Sequence, residues 1–186
     1  MNAVYTIGTS DIPLDQFLLS LGNARRATVL DLRSFPNSKR NPWCGIQFLP
    51  KALADAGVGY RHLGRLLGGR PSDPALMTDG AADYRKMAAS PLFRRGLDVI
   101  RETAGIRPVV LMCSEEDPIR CHRMVLVCRH LRMEMQVLHI RGDGSLEPNW
   151  EAESRMERSA EKAAGRTFGA DIEAGRTSRR LTTARD

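Results

Sequence analysis

Short apolar runs alternate along the chain with amphipathic segments of helical periodicity. The apolar runs have the length of strands buried on both faces, and they lie at residues 3–7, 27–33, 58–63, 108–113 and 136–140. Helices are predicted between them, near residues 13–23, 47–56, 81–89, 91–104 and 118–132. This βαβα alternation predicts an α/β fold, a three-layer Rossmann-like domain with a mostly parallel sheet of about five strands.

The pattern changes after residue 150. Residues 151–165 have the composition of an exposed helix, and residues 167–186 are small, polar and charged. Such a composition buries too little apolar area to offset the entropy of ordering. We therefore interpret residues 1–150 as a single α/β domain and residues 151–186 as a helical or flexible charged C-terminal tail.

Composition narrows the classes of function. No apolar stretch approaches the about 20 residues of a spanning helix, and the N-terminus lacks the regions of a secretion signal, so we expect no membrane contact. The four cysteines are too sparse for a disulfide framework, which favours reduced thiols in a cytoplasm. The net charge of +6, carried mainly by arginine, favours an anionic partner, although solubility alone also explains a basic surface.

The most reactive stretch runs from Cys113 to Arg123, directly after the fourth predicted strand. An Asp-Pro pair at residues 117–118 is typical of a helix start, so the stretch lies at a strand-to-helix junction. In open α/β sheets, ligands bind in the crevice at the carboxyl ends of the strands. We therefore expect chemistry here.

The second predicted strand ends with charged residues. Alternation places Asp31 and Arg33 on one face of this strand, and Leu30 and Leu32 on the other. Arg33 lies at the carboxyl end, where it is predicted to clamp an anionic ligand. A structural ion pair is an equally good interpretation of the two charges.

Two loops add candidate ligand contacts. Lys39 and Arg40, with Phe35 and Trp43 nearby, suit phosphate contact and base stacking, although packing is the commoner role for such aromatic residues. The Gly-Gly-Arg sequence at residues 68–70 lets backbone N–H groups approach a phosphate, or forms a simple turn.

Four motifs occur in a fixed order between about residues 4 and 141. They read YTIGTS at 5–10, DLRSFP at 31–36 with RNP at 40–42, YRHLG at 60–64 with LGGR at 67–70, and CSE at 113–115 with CHR at 121–123. In order and spacing they resemble the domain of unknown function 488 family. The resemblance bears on the fold more than on the function. Family members often carry His where this chain has Thr9, which weakens any acid–base role at that position.

The predicted helix after residue 117 indicates whether its cysteines and His122 could bind a metal ion together. At about 100° per residue, Cys121 and Cys128 fall on an apolar stripe and are expected to pack against the sheet as small hydrophobic residues. His122 and Arg123 lie on the flanks of that stripe. The phase turns Cys121 and His122 about 100° apart, which argues against a metal site built from these two residues and Cys113.

Three chemistries can be compared for this segment. A phosphatase-like cysteine loop needs Arg six positions after the nucleophile, but Ile119 stands there, and the three acidic residues at 115–117 would repel phosphate. A metal site is disfavoured by the helix phase. The third reading makes Glu115 a general acid/base or water-activating carboxylate, tuned by Arg123 or His122.

We therefore predict an enzyme, a hydrolase that acts on a phosphate-bearing nucleotide or nucleic acid by hydrolytic or glycosidic-type acid/base chemistry. The alternatives are a noncatalytic nucleic-acid or nucleotide-binding module and a cysteine- or metal-dependent redox protein. The catalytic candidates are Glu115, His122 and Arg123. The substrate-binding candidates are Ser10, Asp31, Arg33, Arg40, Gly69, Arg70 and Cys113. The sequence specifies no cofactor, demands no metal and leaves the oligomeric state open.

Overall fold

A computed structural model of the chain describes residues 3–10, 12–24 and 26–162. The chain divides into two compact units between Asn149 and Trp150. The first unit holds a six-stranded, mostly parallel sheet flanked by helices, which confirms the predicted three-layer α/β fold. Within the described residues, no helix is long and apolar enough to span a bilayer.

The described residues of the first unit form eight strands and six α-helices, together with 3-10 turns and one π-helix. The strands are β1 (Ala3–Gly8), β2 (Thr28–Asp31), β3 (Gly59–His62), β4 (Met77–Thr78), β5 (Ala81–Ala82), β6 (Val109–Cys113), β7 (Gln136–Ile140) and β8 (Leu146–Pro148). The α-helices are α1 (Leu14–Ser20), α2 (Leu49–Asp55), α3 (Gly64–Leu67), α4 (Tyr84–Ala89), α5 (Pro91–Ile106) and α6 (Arg129–Leu131). Short 3-10 turns lie at Leu21–Ala24, Pro42–Cys44, Pro74–Leu76 and Pro118–Arg120.

The strand order in the main sheet is β3-β2-β6-β1-β7-β8. The five predicted strands are its first five members and run parallel, while β8 pairs antiparallel with β7 at the edge. The second, two-stranded sheet is the β4–β5 hairpin. Because β6 lies between β1 and β2, the carboxyl ends of these three strands meet at one edge of the sheet.

The core lies on both faces of the sheet. Leu111 of β6 packs on one face with Phe93 and Ile100 of α5, and Val110 faces the opposite layer with Phe17 of α1. These side chains are all at most 1% exposed. The predicted alternation in the second strand is confirmed, because Leu30 and Leu32 join the first cluster while Asp31 and Arg33 pair on the other side.

The long helix predicted at residues 118–132 is wrong. A 3-10 turn at Pro118–Arg120 ends at Cys121, whose backbone is extended (φ −123°, ψ 137°). A π-helix, Arg123–Cys128, and the single turn of α6 follow. The extended residue interrupts the helical register, so a phase calculated through it does not describe where these side chains point.

The predicted tail falls largely outside the described residues. In the second unit, residues 150–162 are helical. Residues 163–186 lie outside the described part of the chain, so the character of the tail at residues 151–186 stays a prediction.

Candidate active site

A pocket of about 270 Å³ lies at the carboxyl ends of β2 and β6. It is lined by residues of the segments that follow these strands, of the glycine-rich loop after α3 and of the start of α4. The lining residues are Arg33, Ser34, Phe35, Asn37, Gly69, Arg70, Tyr84, Cys113, Ser114, Glu115, Arg120 and His122.

The structure brings part of the predicted site together. Six of the ten candidates line this pocket: Arg33, Gly69, Arg70, Cys113, Glu115 and His122. The other four described candidates are not among its lining residues: Ser10, Asp31, Arg40 and Arg123. Asp31 and Arg123 bind residues that do line it, Arg33 and Glu115, and Ser10 binds Glu116, the neighbour of Glu115.

Arg123 holds the acidic loop, which we define as residues 114–117. Its guanidinium is fully buried and donates through Nη1 to the main-chain carbonyl of Glu115 and through Nη2 to that of Glu116, at 2.7 Å. Nε donates to Thr6 Oγ1 of β1 at 3.1 Å. Because these donors are directed at backbone carbonyls, Arg123 is a positioning residue for the loop.

The acidic loop is hydrogen-bonded to the residues that follow β1. Thr9 N–H donates to the carbonyls of Cys113 and Ser114, at 3.0 and 3.1 Å, and Glu116 N–H donates to Ser10 Oγ at 3.1 Å. A Cβ on Gly8 would collide with backbone atoms of the loop, including Glu116 Cα at 2.6 Å. The YTIGTS motif at residues 5–10 therefore shapes the acidic loop, and none of its residues is among those that line the pocket.

The three acidic residues of the loop face different surroundings. Arg141, which follows β7, binds the carboxylate of Glu116 at 3.0 Å and that of Asp117 at 3.2 Å. Glu116 also accepts from Gly142 N–H at 3.0 Å. Glu115 is the member of this trio that lines the pocket. The single charge of Arg141, which also pairs with Glu147 at 2.9 Å, offsets part of the negative charge of Glu116 and Asp117.

Glu115 lies against the thiol of Cys113, with 3.4 Å between Oε2 and Sγ. Burial acts to raise the pKa of Glu115, but its own backbone N–H and the thiols of Cys113 and Cys121 donate to the carboxylate. Together with the charge of His122, they leave the pKa below the ordinary value of a glutamic acid. Glu115 is therefore an ionised carboxylate at neutral pH.

Cys113, Cys121 and His122 form a cluster, here called the thiol–imidazole cluster. His122 Nδ1 lies 3.8 Å from Cys113 Sγ and 3.9 Å from Cys121 Sγ, and the three ligand atoms are within 4.8 Å of one another. The helix-phase argument against this grouping is wrong, because Cys121 is extended. Within the described residues, this is the set with the side chains to hold a metal ion.

The two thiols of the cluster differ in acidity. The hydrogen bond from Cys113, reinforced by His122 and the charge of Arg123, outweighs burial and lowers the pKa of Cys121. The interaction with Cys121, and then burial, raise the pKa of Cys113. Cys121 is therefore the more acidic thiol of the pair. All four cysteines of the chain are buried and carry thiols that form no disulfide.

Gly69 fixes the position of the His122 ring. A Cβ on Gly69 would lie 2.7 Å from His122 Cγ and 2.8 Å from Nδ1, so any side chain here would displace the imidazole. The neighbouring Arg70 is anchored by its N–H, which donates to Ser34 Oγ at 2.9 Å. The Gly-Gly-Arg sequence is thus a packed wall of the pocket.

Arg33 forms the structural ion pair considered from the sequence, and it also lines the pocket. It forms a two-pronged ion pair with the fully buried Asp31, at 2.9 and 2.7 Å, and donates to Cys44 O at 2.7 Å. Burial acts to lower the pKa of Arg33, but Asp31 and Cys44 raise it well above its ordinary value. Tyr60 also donates to Asp31, at 2.8 Å. Arg33 lines the pocket, but its charge is already neutralised.

Arg120 and Tyr84 line the pocket and were missed in the sequence. Arg120 falls within the helix predicted at residues 118–132, and in the structure the 3-10 turn at Pro118–Arg120 places it at the pocket. Tyr84 is contributed by α4 from a distant part of the chain. Burial raises the pKa of Tyr84, as do the charges of the nearby cysteines and Glu115. Its local sequence carries no signal of this placement, since Asp83 before it reads only as a helix cap.

The aromatic residues of the loop after β2 have separate roles. Trp43 packs on Phe17 of α1, with ring centroids 5.2 Å apart, so it anchors the loop. Phe35 lines the pocket and is 68% exposed. Arg40 is exposed on the same loop.

Comparison with known proteins identifies a family. The family model described as Domain of unknown function DUF488 matches residues 13–129, a span that includes the acidic loop and the thiol–imidazole cluster. No curated protein and no solved structure matches the chain.

Proposed function

Because the chain belongs to the DUF488 family, whose description assigns no reaction, we propose a function from the pocket itself. We propose an enzyme that acts on a phosphate-bearing nucleotide or nucleic acid by hydrolytic or glycosidic-type acid/base chemistry, with Glu115 as the group that activates water. The observation that carries this proposal is the presence of the Glu115 carboxylate in a pocket whose other charged lining residues are arginines.

Two of those arginines supply the attraction for an anion. Arg70 and Arg120 form no ion pair within residues 3–10, 12–24 and 26–162, whereas the charge of Arg33 is neutralised by Asp31. A guanidinium binds phosphate oxygens through two parallel hydrogen bonds. Arg70 and Arg120 are therefore the proposed phosphate contacts.

Phe35 favours a nucleotide over inorganic phosphate. Its ring is exposed at the pocket, while Trp43 of the same loop is engaged by Phe17. An exposed aromatic ring beside cationic groups provides a stacking surface for a base. The pocket volume of about 270 Å³ suits one nucleotide-sized unit better than a folded nucleic acid.

The proposed step is proton abstraction from a water molecule held between Glu115 and the bound ligand. The carboxylate accepts the proton, and the hydroxide attacks the electrophilic centre of the ligand as the leaving group departs. Arg123 acts through the backbone of the acidic loop, so it positions Glu115 without touching the ligand. His122 faces the two thiols, and we assign the proton transfer to Glu115 for that reason.

A panel assay tests the proposal. The full chain is incubated with ribonucleoside and deoxyribonucleoside phosphates and with single-stranded RNA and DNA oligonucleotides, and products are separated by chromatography. We expect turnover of at least one class, its loss in Glu115→Gln, and unchanged binding in that variant by calorimetry. Glu102→Gln, at an exposed position of α5, is the matched control and should keep full activity.

Two outcomes contradict the proposal. Binding without turnover of any member of the panel would indicate the noncatalytic module. Turnover that persists in Glu115→Gln would remove this carboxylate from the reaction.

A further inference from the structure

The thiol–imidazole cluster is built from two separate segments of the chain. Cys113 is the last residue of β6, and Cys121 and His122 precede the π-helix. Adjacent residues of a regular helix diverge by about 100°, but the extended backbone of Cys121 lets both side chains face Cys113. A π-helix is rare, and it occurs most often beside functional sites.

The spacing within the cluster is close to that of a coordination sphere. Tetrahedral zinc, with bonds of about 2.3 Å to sulfur and about 2.0–2.1 Å to nitrogen, separates neighbouring sulfur and nitrogen ligands by roughly 3.6 Å. The two sulfur-to-nitrogen distances here are 3.8 and 3.9 Å. Both sulfur-to-nitrogen distances are therefore within a few tenths of an ångström of the separation that such an ion imposes.

The two ring nitrogens of His122 have different surroundings. Nδ1 lies beside both sulfurs, at 3.8 and 3.9 Å, whereas Nε2 is buried and has no hydrogen-bond partner within the described part of the chain. An ion bound at Nδ1 would not pair Nε2, so the support for a site comes from the position of Nδ1. Because Gly69 has no side chain, the imidazole of His122 packs directly against its backbone. In this position Nδ1 faces the two sulfurs.

We propose that Cys113, Cys121 and His122 bind a divalent, thiophilic metal ion of the zinc class. Two sulfur ligands and one imidazole favour zinc over magnesium or calcium, which require oxygen ligands. Two thiolates also balance the charge of the ion in a buried site, and the thiol protons leave to solvent on binding.

Three protein ligands leave one position of a tetrahedral ion available for water. Cys113 and His122 line the pocket together with Glu115, so the available position is on the pocket side. Glu115 Oε2 is already 3.4 Å from Cys113 Sγ. A water bound to the ion would lie beside this carboxylate and give it a proton, leaving a metal-bound hydroxide. This last step rests on the proposed function, whereas binding of the ion does not.

Metal binding can be measured without any substrate. The full chain is purified under reducing conditions without chelators, its metal content is determined by mass spectrometry, and the stripped protein is titrated with Zn²⁺ against a competing chelator. We expect one equivalent of tightly bound zinc. Substitution with Co²⁺ should give a thiolate-to-cobalt charge-transfer band and the intense visible bands of a tetrahedral site.

Variants identify the ligands. Cys113→Ser, Cys121→Ser and His122→Ala should each weaken zinc binding by roughly 100-fold or more. Cys128→Ala is the matched control, because Cys128 is a buried thiol in the core, and it should bind zinc like the parent chain. Glu115→Gln should retain the ion, which separates failure of the metal site from failure of the proposed reaction.

Two results would overturn the metal site. The first is the absence of the charge-transfer band when Co²⁺ is added to the parent protein. Because this measurement uses no variant, a folding defect caused by a substitution cannot affect it. The other is a folded Cys121→Ser variant that binds zinc with parental affinity. Zinc bound by the three ligands without turnover of any nucleotide would leave this inference standing and contradict the proposed function.

Discussion

The guanidinium of Arg123 and the main-chain carbonyl of Glu115 are hydrogen-bonded inside the protein, so a fully buried cation determines where the pocket carboxylate lies. The same side chain contacts Thr6 of β1 and the carbonyl of Glu116. Arg123 therefore binds the acidic loop on the side away from the pocket. It positions the carboxylate of Glu115 through the backbone and makes no direct contact with the carboxylate oxygens. This arrangement makes the loop the most sensitive part of the site.

Removal of the Arg123 guanidinium should destabilise the fold. Arg123→Met leaves the carbonyls of Glu115 and Glu116 and the hydroxyl of Thr6 without their donor. Buried groups that lose a charged partner cost about 2–4 kcal/mol in the free energy of unfolding. Urea denaturation measures the loss, and Arg129→Met, at an exposed position, should change stability by less than about 0.5 kcal/mol. Equal stability of the two variants would contradict the role of Arg123.

A methyl group at Gly8 should damage the same loop. Gly8→Ala forces a Cβ into backbone atoms of Glu115 and Glu116, which cannot rotate away as a side chain does. We expect a loss of about 2–3 kcal/mol in unfolding free energy. Gly22→Ala is the control, since nothing lies within 4 Å of the added Cβ, and its stability should equal or slightly exceed that of the parent. A Gly8→Ala protein as stable as Gly22→Ala would show that the loop adapts.

Protonation of His139 at acidic pH should lower the free energy of unfolding. Burial, followed by the charge of Arg123, lowers the pKa of His139 to about 4, although Asn149 and Glu147 act in the opposite direction. The unfolded chain protonates this group near pH 6.5, so stability is complete above that pH and is lost as the pH falls towards 4. The total loss is about 3 kcal/mol.

The His139 prediction is checked by urea denaturation between pH 4 and pH 8. His139→Gln should have a flatter pH profile than the parent chain. His130→Gln, at an exposed position, should keep the parental profile. Identical profiles for the His139→Gln variant and the parent would rule out His139 as the cause.

The pocket arginines should control the affinity for anions. Arg70→Ala and Arg120→Ala each remove a cation that forms no ion pair within the described residues, and each should weaken binding of a nucleotide by about tenfold. Binding to the parent should also fall steeply with added salt. Arg95→Ala, on the exposed side of α5, is the control for a general loss of positive charge. Calorimetry at two salt concentrations distinguishes these cases, and equal affinity in all three variants would place the phosphate elsewhere.

Phe35 should distinguish a nucleotide from phosphate alone. Phe35→Ala removes the exposed ring at the pocket and should reduce nucleotide affinity by about 1–3 kcal/mol, while leaving the affinity for inorganic phosphate unchanged. Leu19→Ala, an exposed apolar residue that is not among the pocket lining, is the control. A parallel loss for both ligands would indicate that Phe35 shapes the loop and does not stack on a base.

The sequence predicted the sheet better than it predicted the site. Parallel strands buried on both faces leave continuous apolar runs, and β6, with all five residues buried, is the clearest case. The edge strand β3 is only partly buried and was recognised without such a run. The strand β8 and the β4–β5 hairpin are only two or three residues long and leave no such pattern. Their existence depends on pairing within the folded chain.

The site was predicted where side chains follow directly from strand ends. Glu115 and Arg33 were placed at the pocket because the carboxyl ends of parallel strands meet at one edge. For Arg123 the sequence left open whether it holds an anion or orients Glu115. The choice could not be made there, because its partners are backbone carbonyls whose position depends on β1. A metal site that includes Cys121 and His122 was disfavoured, because a regular helix would turn the two side chains about 100° apart. The backbone of Cys121 is extended, so that calculation does not apply.

The central place of β6 has a consequence for the protein during its synthesis. This strand pairs with β1, whose Val4 lies opposite Val109, and the loop that follows it is anchored by Arg141 beyond β7. A nascent chain on the ribosome therefore lacks a finished pocket until nearly the whole first unit has emerged. Contacts so distant in sequence also slow folding, so any ligand or ion must enter a domain that is already assembled.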